Sequence, residues 1–584
     1  MAELAGLALA ITPIVFKAVA DGLKILDEMV HFDEETEDML IRTETAKAHL
    51  SIWAAGVGIA EGELVPALHP LNGLIVRTLQ RIEALITNIQ QHGNQYGLES
   101  ANTESKRAVD MVVQMRRSLH SVLRGSNREG NLGALIQAAE QLADRKQKSV
   151  ARRLRWAIRD KAKSEHFVET LEKHVNGLQK LIFENQRREV QHAGTRYDFQ
   201  IVQEISDSKR LSLLQNALPD GDSFSEMDLA YLAQCKAISL QKAESWPRAQ
   251  SQVGGWSICD ASPADLAKTR FLRPGVGDSE VAYLFEKKDY DPNISEEDKD
   301  LLHERIRNLV SLLGKTGSKQ YLQTLQAVGY TDDPDRHCWW IVFRFPLGPL
   351  DTLEAMGNEP LSLRKLFHSP FKPALETRYK LAKRIVYTFA RLYGSDWMHK
   401  SINSSNIIFP QVYSTKSLVW FQQIETALVQ GFGYSRQHTE AQTLDRGKSL
   451  HHLEAAIYRH PLYQGEAASG YKVHYDIYSL GTVLFEIAIW SPLMALLAAK
   501  YRLEKAPPVT LSPNMRQFYE PEARELHRRV NLRTKEEVAY RMGTKYKSAV
   551  QWCLNLEGPV TAIDFYNTVA IPLDDLCSCS GQQV

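Results

Sequence analysis

A dense cluster of charged residues between positions 145 and 163 could bind a partner of opposite charge. Nine of them are basic and one, Asp160, is acidic, in a chain whose 70 Lys and Arg balance its 70 Asp and Glu. Such a cluster can be an ordinary solvated helix face, or it can attract anionic lipid at about 1 kcal/mol per cation near the surface. Nucleic acid ranks lower, because the net charge is zero and no aromatic stacking platform accompanies the cluster. The residues assigned to lipid contact are Arg145, Lys146, Lys148, Arg152, Arg153, Arg155 and Arg159.

The N-terminal segment 2–26 is apolar and carries four charges, at Glu3, Lys17, Asp21 and Lys24. As a core helix of a resting bundle it needs no special explanation. As a membrane helix it would be kinked by Pro13, and each ion near the bilayer centre would cost roughly 2.5–3.5 kcal/mol. Lys17 and Asp21 are four residues apart and could pair with each other. Insertion is therefore expected only in an oligomer whose helices shield these two charges.

The C-terminal half contains several short strings in a fixed order: His399-Lys-Ser-Ile-Asn-Ser-Ser-Asn406, Gly431-Phe-Gly433 and Asp476-Ile-Tyr-Ser-Leu-Gly481. In that order they resemble the catalytic loop, the DFG segment and the central-helix opening of protein kinases. The resemblance implies that Lys287 is the strand lysine that contacts ATP phosphates and that Glu304 is its helix partner. It gives structural roles to His399, Phe432, Gly433 and Asp476.

The departures from the kinase pattern decide the expected chemistry. Phosphoryl transfer needs one carboxylate to orient the substrate hydroxyl and another to hold Mg²⁺. The corresponding positions are Ser401 and Gly431, and the single amide oxygen of Asn406 is a poor divalent-metal site. The resemblance therefore implies a pseudokinase with no catalytic residues and no metal site. Lys287 and Asn406 are left as residual nucleotide contacts, so ATP is a possible ligand but not a required cofactor.

The N-terminal half is helical by its apolar spacing, for example at Leu71, Ile75, Leu79, Ile82 and Ile86. The string Ile41-Arg-Thr-Glu-Thr-Ala-Lys-Ala-His-Leu-Ser-Ile-Trp53 resembles the HeLo (prion-inhibition and propagation) domain of fungal heterokaryon-incompatibility proteins. The strings 152–160 and 167–172 extend that resemblance. It implies a helical bundle that oligomerises on activation, releases its apolar N-terminal segment and permeabilises the plasma membrane.

These patterns predict a multidomain chain, with an all-α helical bundle followed by an α+β, bilobal, protein kinase-like fold. The predicted boundaries are 1–215 for the bundle, 216–255 for a linker and 256–580 for the kinase-like domain. Six scattered cysteines without paired CxxC motifs indicate neither a zinc site nor a disulfide framework. No apolar run reaches the ~18–20 residues of a simple membrane-spanning helix.

The expected function is that of a cell-death or incompatibility effector in which the kinase-like domain regulates the bundle. The end of the sequence shows no Asn/Gly-rich amyloid repeat, so the kinase-like domain is expected to receive the signal. The expected partners are further copies of the chain, anionic membrane lipids and an upstream protein, with cytoplasmic localisation before recruitment to the plasma membrane. Two alternatives remain open: an active atypical serine/threonine kinase that uses Asp396, Glu425 or Asp445, and a passive scaffold.

Overall fold

A computed structural model describes residues 12–23, 37–92, 98–100, 106–124, 156–158, 161–218, 227–240, 258, 261–275, 278–314, 322–346, 359–370, 372–410, 423–434, 436–437, 453–464, 471–499 and 509–579. The chain divides into two units, Met1–Leu240 and Gln241–Val584. Each unit has its own buried core and is described by itself.

The first unit is built mainly from helices: α1 (12–23), α2 (Glu37–Gly56), α3 (Asn72–His92), α4 (Lys106–Arg124), α5 (Lys161–Gln179), α6 (Glu184–Glu204), α7 (Ser208–Ala217) and α8 (Leu229–Leu240). Helix α2 is the central one, because it packs against α4, α5, α6 and α7. Buried residues lie on every face of α2, which is typical of a helix at the centre of a bundle.

The first unit differs in two ways from the predicted all-helical bundle 1–215. Strands β1 (Leu98–Ser100) and β2 (Trp156–Ile158) pair antiparallel, with Leu98 opposite Ile158. The aromatic and β-branched residues of β2 favour a strand over a helix. Helix α8 lies in the predicted linker but packs on α7, with Leu229 and Leu232 buried. The ammonium of Lys236 donates to the carbonyls of Val202 and Gln203 at 2.8 and 3.0 Å, which ties α8 to the end of α6.

The second unit begins with a four-stranded antiparallel sheet in the order β3-β4-β6-β5, formed by β3 (Arg270–Gly275), β4 (Asp278–Asp289), β5 (Gln326–Asp333) and β6 (Cys338–Pro346). One face carries an apolar cluster in which the rings of Phe271 and Phe285 stack at 5.0 Å against Trp340. The register places Arg270 opposite Glu286 on the other face. Helix α10 (Glu296–Gly314) packs on β5, and the short helix α9 (Pro263–Leu266) precedes the sheet.

The rest of the second unit is mainly helical. Its helices are α11 (Leu363–Leu366), α12 (Leu375–Gly394), α13 (Leu453–Ala456), α14 (Val473–Ile489), α15 (Ala495–Ala498), α16 (Glu520–Arg533), α17 (Ala539–Leu554), α18 (Ala562–Phe565) and α19 (Ile571–Cys579). Its short strands are β7 (Leu361–Ser362), β8 (Trp397–Met398), β9 (Ile407–Phe409), β10 (Leu428–Val429) and β11 (Arg436–Gln437), which pair as β10-β9-β7 and β11-β8.

Helix α14 forms the centre of this helical part, with nearly every residue buried. The hydroxyl of Tyr546 on α17 donates to the carbonyl of Leu484 at 2.9 Å and fixes the two helices together. The sequence predicts one helical run over 478–499, but α14 ends before Trp490, which has a φ of 52°. Pro492 cannot continue the hydrogen-bond ladder, so α15 forms separately.

Candidate functional site

The buried carboxylate of Asp476 on α14 holds the first residues of the loop 399–406 by hydrogen bonds to their backbone. This carboxylate accepts hydrogen bonds from the backbone N–H of His399 at 2.6 Å and of Lys400 at 2.7 Å, and from the hydroxyl of Tyr471 at 2.6 Å. Burial raises the pKa of Asp476, and these hydrogen bonds oppose that effect. Lys400 has a φ of 66°, an uncommon conformation for lysine, which the two backbone bonds stabilise. Asp476 therefore positions the loop backbone.

His399 is a satisfied core histidine. Its Nε2 lies 3.0 Å from the carbonyl of Gln430, and its Nδ1 accepts from the backbone N–H of Ser401 at 3.2 Å. This pattern fits a neutral ring with its proton on Nε2. Burial lowers the pKa of His399 to about 3, and the ring packs 4.5 Å from that of Phe432. The structure thus brings the loop histidine and the Gly431-Phe-Gly433 segment together.

Asn406 lies at the end of the same loop, and both the nitrogen and the oxygen of its amide are hydrogen-bonded. Its Nδ2 donates to the carbonyl of Ser401 at 2.7 Å and approaches the Ser401 hydroxyl at 3.3 Å. Its Oδ1 accepts from Nη2 of Arg270, whose Nη1 donates to the carbonyl of Ser405 at 3.0 Å. The Oδ1 of Asn406, a residue predicted to make a residual nucleotide contact, therefore already accepts a hydrogen bond from a guanidinium.

Gly431 has a φ of 87°, in the left-handed region that favours glycine. A Cβ added there would lie 2.7 Å from Oδ1 of Asn406 and closer still to Nδ2 and Cγ. The backbone N–H of Gly431 donates to Oε2 of Glu286 at 3.1 Å. An aspartate does not fit at this position while Asn406 keeps its hydrogen bonds.

Glu286 and Arg270 are the two residues of this site that the sequence analysis missed. Glu286 is 4% exposed, and its carboxylate lies 3.6 Å from Nη2 of Arg270. Burial raises the pKa of Glu286, while Arg270 and the backbone N–H groups of Gly431 and Phe432 oppose that rise. The carboxylate next to Gly431 thus comes from the sheet.

Lys287 lies on the other face of β4, opposite Trp340 in the register. Its Nζ pairs with Oδ1 of Asp289 at 3.1 Å and lies 6.0 Å from the centre of the Trp340 ring. Gly433 packs near the strand, where an added Cβ would lie 3.6 Å from the Lys287 carbonyl and 3.8 Å from the Lys288 side chain. Glu304 is half-buried on α10. The Lys287 ammonium therefore points to Asp289, and the carboxylate of Glu286 is the charged group of β4 that lies beside Gly431.

A cavity of about 760 Å³ opens beside these residues and has charged walls of both signs. Its basic side chains are largely paired with acidic ones: Arg364 with Glu454 at 2.7 Å, and Lys365 with Glu359 at 3.0 Å. Over the part of the chain that the structure describes, no group of three or more His, Cys, Asp or Glu could hold a metal ion. The residues present do not fit a magnesium nucleotide. Position 431 supplies no ligand, Asn406 already binds Arg270, and the nearby Glu286 carboxylate is paired with Arg270 and the N–H of Gly431.

The site residues predicted in the first unit are placed only in part. Helix α1 buries Val15, Phe16, Val19 and Leu23 against the bundle, whereas Lys17 and Asp21 are exposed. Ile14 is 67% exposed. Seven predicted lipid-contact residues lie outside the described residues: Arg145, Lys146, Lys148, Arg152, Arg153, Arg155 and Arg159.

The centre of the bundle contains a buried ion pair on α2. Glu44 accepts from Nη2 and Nε of Arg116 at 2.7 and 3.0 Å, and from Nζ of Lys47 at 2.7 Å. Burial alone would raise the pKa of Glu44, but the two cations lower it to about 2. Nearby, Arg42 forms a two-pronged pair with Glu172 on α5 at 2.7 and 2.9 Å. Both pairs start within the string 41–53 and join α2 to its neighbours.

Residues 6–214 match the family model described as HeLo, prion-inhibition and propagation. This match confirms the resemblance of the N-terminal half to that domain and covers the bundle from α1 to α7. No curated protein matches the chain. The similarity of the C-terminal half to protein kinases stays a prediction. In the part of the chain that the structure describes, no helix has the length and hydropathy needed to cross a membrane.

Proposed function

We propose that the protein is a signal-responsive effector of the fungal cell-death or incompatibility type. In this proposal a pseudokinase domain holds a HeLo bundle at rest in the cytoplasm until an upstream protein signal arrives. The bundle then oligomerises, is recruited to the plasma membrane through anionic lipids and permeabilises it. The HeLo match at 6–214 supports the class of function, and the packing of α1 supports a resting state.

The observation that carries the proposal is the amphipathic burial of α1. Its apolar residues at 15, 16, 19 and 23 face the bundle, and its charges at Lys17 and Asp21 face outward. Release of α1 would expose this apolar face, and oppositely charged residues four apart can pair when water is removed. A latent membrane-active segment needs both properties.

The C-terminal unit supports a regulatory role better than phosphoryl transfer. Ser401 and Gly431 stand at the positions of the two kinase carboxylates, and the Glu425 carboxylate is paired with Lys380 at 2.8 Å on the surface. A full-length preparation with Mg·ATP is expected to show no phosphotransfer. Transfer that depends on Lys287 would instead favour the atypical kinase.

The test of membrane action compares two matched substitutions in residues 1–240. Ile14→Glu adds a charge to α1 at an exposed position, so it leaves the core unchanged but costs roughly 2.5–3.5 kcal/mol if that residue reaches the bilayer centre. Leu74→Glu adds the same charge on α3, where Leu74 is 43% exposed. We expect anionic liposomes to leak with the unchanged bundle and with Leu74→Glu, and not with Ile14→Glu.

Two results would count against the proposal. Equal leakage with both variants would exclude insertion of α1, and no leakage from the unchanged bundle would favour a passive scaffold. Neutral liposomes serve as the lipid control, because a role for basic residues predicts faster leakage from anionic ones.

A further inference from the structure

The cleft of the second unit contains a chain of ionic and hydrogen-bonded contacts that joins the four-stranded sheet to the loop 399–406. Arg270 on β3 binds the carbonyl of Ser405 at 3.0 Å and Oδ1 of Asn406. Glu286 on β4 binds the backbone N–H of Gly431 at 3.1 Å. The two side chains face each other at 3.6 Å, so they connect the sheet to both segments at once.

We propose that Arg270 and Glu286 form an internal clamp that ties the sheet to the loop 399–406 and to Gly431, and that this clamp excludes a magnesium nucleotide. The clamp is defined as these two side chains with their contacts to Ser405, Asn406 and Gly431. It rests on the proposed pseudokinase role and deepens it, because it supplies a physical reason for the proposed absence of metal binding in the cleft.

The pairing within the clamp disfavours both a cation and a phosphate, because the guanidinium and the carboxylate already neutralise each other. A divalent cation needs oxygen ligands, and the guanidinium already occupies the amide oxygen of Asn406. The Glu286 carboxylate repels phosphate oxygens and already accepts the hydrogen bond that the backbone N–H of Gly431 can donate. Arginine suits this position because its planar fork can serve several acceptors together, which lysine cannot do.

The register of the sheet decides which charged side chains lie on the same face as the clamp. On β4, residues 284 and 286 share one face of the sheet and 285 and 287 share the other. Lys287 therefore cannot replace Arg270 without a change of register. The exposed Arg344 lies opposite Tyr283 in the register, on the face away from the clamp. It provides a matched arginine control in the same sheet.

Hydrogen–deuterium exchange of the full-length chain tests the clamp. In Arg270→Ala we expect the backbone N–H groups of Gly431 and Phe432 to exchange at least tenfold faster, because Glu286 loses its counter-charge. Arg344→Ala should leave their exchange unchanged. Unchanged exchange in Arg270→Ala would overturn the proposal.

Arg270→Lys covers the case in which the alanine variant loses its fold. The lysine keeps the charge but can reach fewer acceptors, so we expect an intermediate increase at Gly431 with normal protection of α14. Mg·ATP added to the unchanged protein is expected to leave exchange at Gly431 as it is. Protection by Mg·ATP would contradict the clamp, and this outcome is independent of liposome leakage by the HeLo bundle.

Discussion

The two carboxylate oxygens of Asp476 accept hydrogen bonds from the backbone N–H groups of His399 and Lys400, at 2.6 and 2.7 Å. The first prediction is that Asp476→Asn destabilises the second unit by about 1–3 kcal/mol, because the amide leaves one buried donor without an acceptor. The shift in the urea unfolding midpoint measures this cost. Asp575→Asn removes an exposed pair with Lys545 and should change the stability by less than about 0.5 kcal/mol.

The second prediction concerns Gly431, which the kinase resemblance aligns with the metal-binding aspartate. Gly431→Ala is expected to destabilise the second unit by at least about 1 kcal/mol, because its φ is positive and its Cβ would overlap Asn406. Gly433→Ala is the control, since its Cβ would make ordinary contacts at 3.6–3.8 Å. Thermal unfolding should separate the two. Equal effects would contradict the packing at Gly431.

The same geometry predicts coupling between positions 431 and 406. Replacing Asn406 by Ala removes the side chain that a Cβ at 431 would meet. The double variant Gly431→Ala with Asn406→Ala should therefore be more stable than the sum of the single effects predicts, by about 0.5–3 kcal/mol. A double-mutant cycle measures this energy. Simple additivity would mean that Asn406 moves aside freely.

The third prediction is an acid sensitivity of the HeLo bundle. The pKa of Glu44 is lowered from 4.5 to about 2, so the folded chain holds the proton on Glu44 more weakly than the unfolded chain. Its contribution, about 3 kcal/mol, is complete above pH 4.5 and is lost as the pH falls towards 2.

Glu44→Gln should remove this pH dependence and lower the stability at neutral pH by about 3–5 kcal/mol, because Arg116 and Lys47 lose the buried carboxylate that they both bind. Glu165→Gln changes a half-exposed carboxylate 4.0 Å from Arg42 and should behave like the unchanged bundle. Urea unfolding of residues 1–240 between pH 2 and 7, followed by the fluorescence of the buried Trp53, makes the comparison.

The fourth prediction places a different pH window in the second unit. Burial lowers the pKa of His399 from 6.5 to about 3, so folding favours the neutral ring. Its stabilising contribution is present above pH 6.5 and is lost as the pH falls from 6.5 towards 3. His399→Gln should reduce the slope of the thermal midpoint with pH in that range, and the remaining slope comes from other histidines such as His460, whose pKa burial also lowers to about 3. The exposed His368, changed to Gln, should leave the slope as it is.

Local sequence patterns predicted helices and strands well where the apolar residues follow one face of a helix or form one continuous run. Of the apolar residues spaced at 71, 75, 79, 82 and 86, the last four lie in α3 and are buried, and Leu71 immediately precedes the helix. The runs 281–285 and 338–345 are rich in aromatic and β-branched residues, which favour strands, and they lie in β4 and β6. The string 41–53 lies inside α2 and carried the HeLo resemblance that the family match confirms.

The clamp could not be predicted in the same way. Leu284 and Phe285 are both buried because the sheet is covered on both faces, so no alternation shows which of Glu286 and Lys287 faces the loop. Only the pairing of β4 with β3 and β6 settles it. The pair β1 and β2 is a similar case, since its strands are separated by more than fifty residues and neither is periodic.

The position of α8 affects how the bundle can be cut from the chain. Leu229 and Leu232 cover apolar surface of the preceding helices, and the Lys236 ammonium satisfies two carbonyls at the end of α6. Truncation at residue 215 would expose that surface to water and leave those carbonyls uncapped. Such a shortened piece would aggregate or bind lipid non-specifically, and toxicity measured with it would report a missing helix instead of an activated effector.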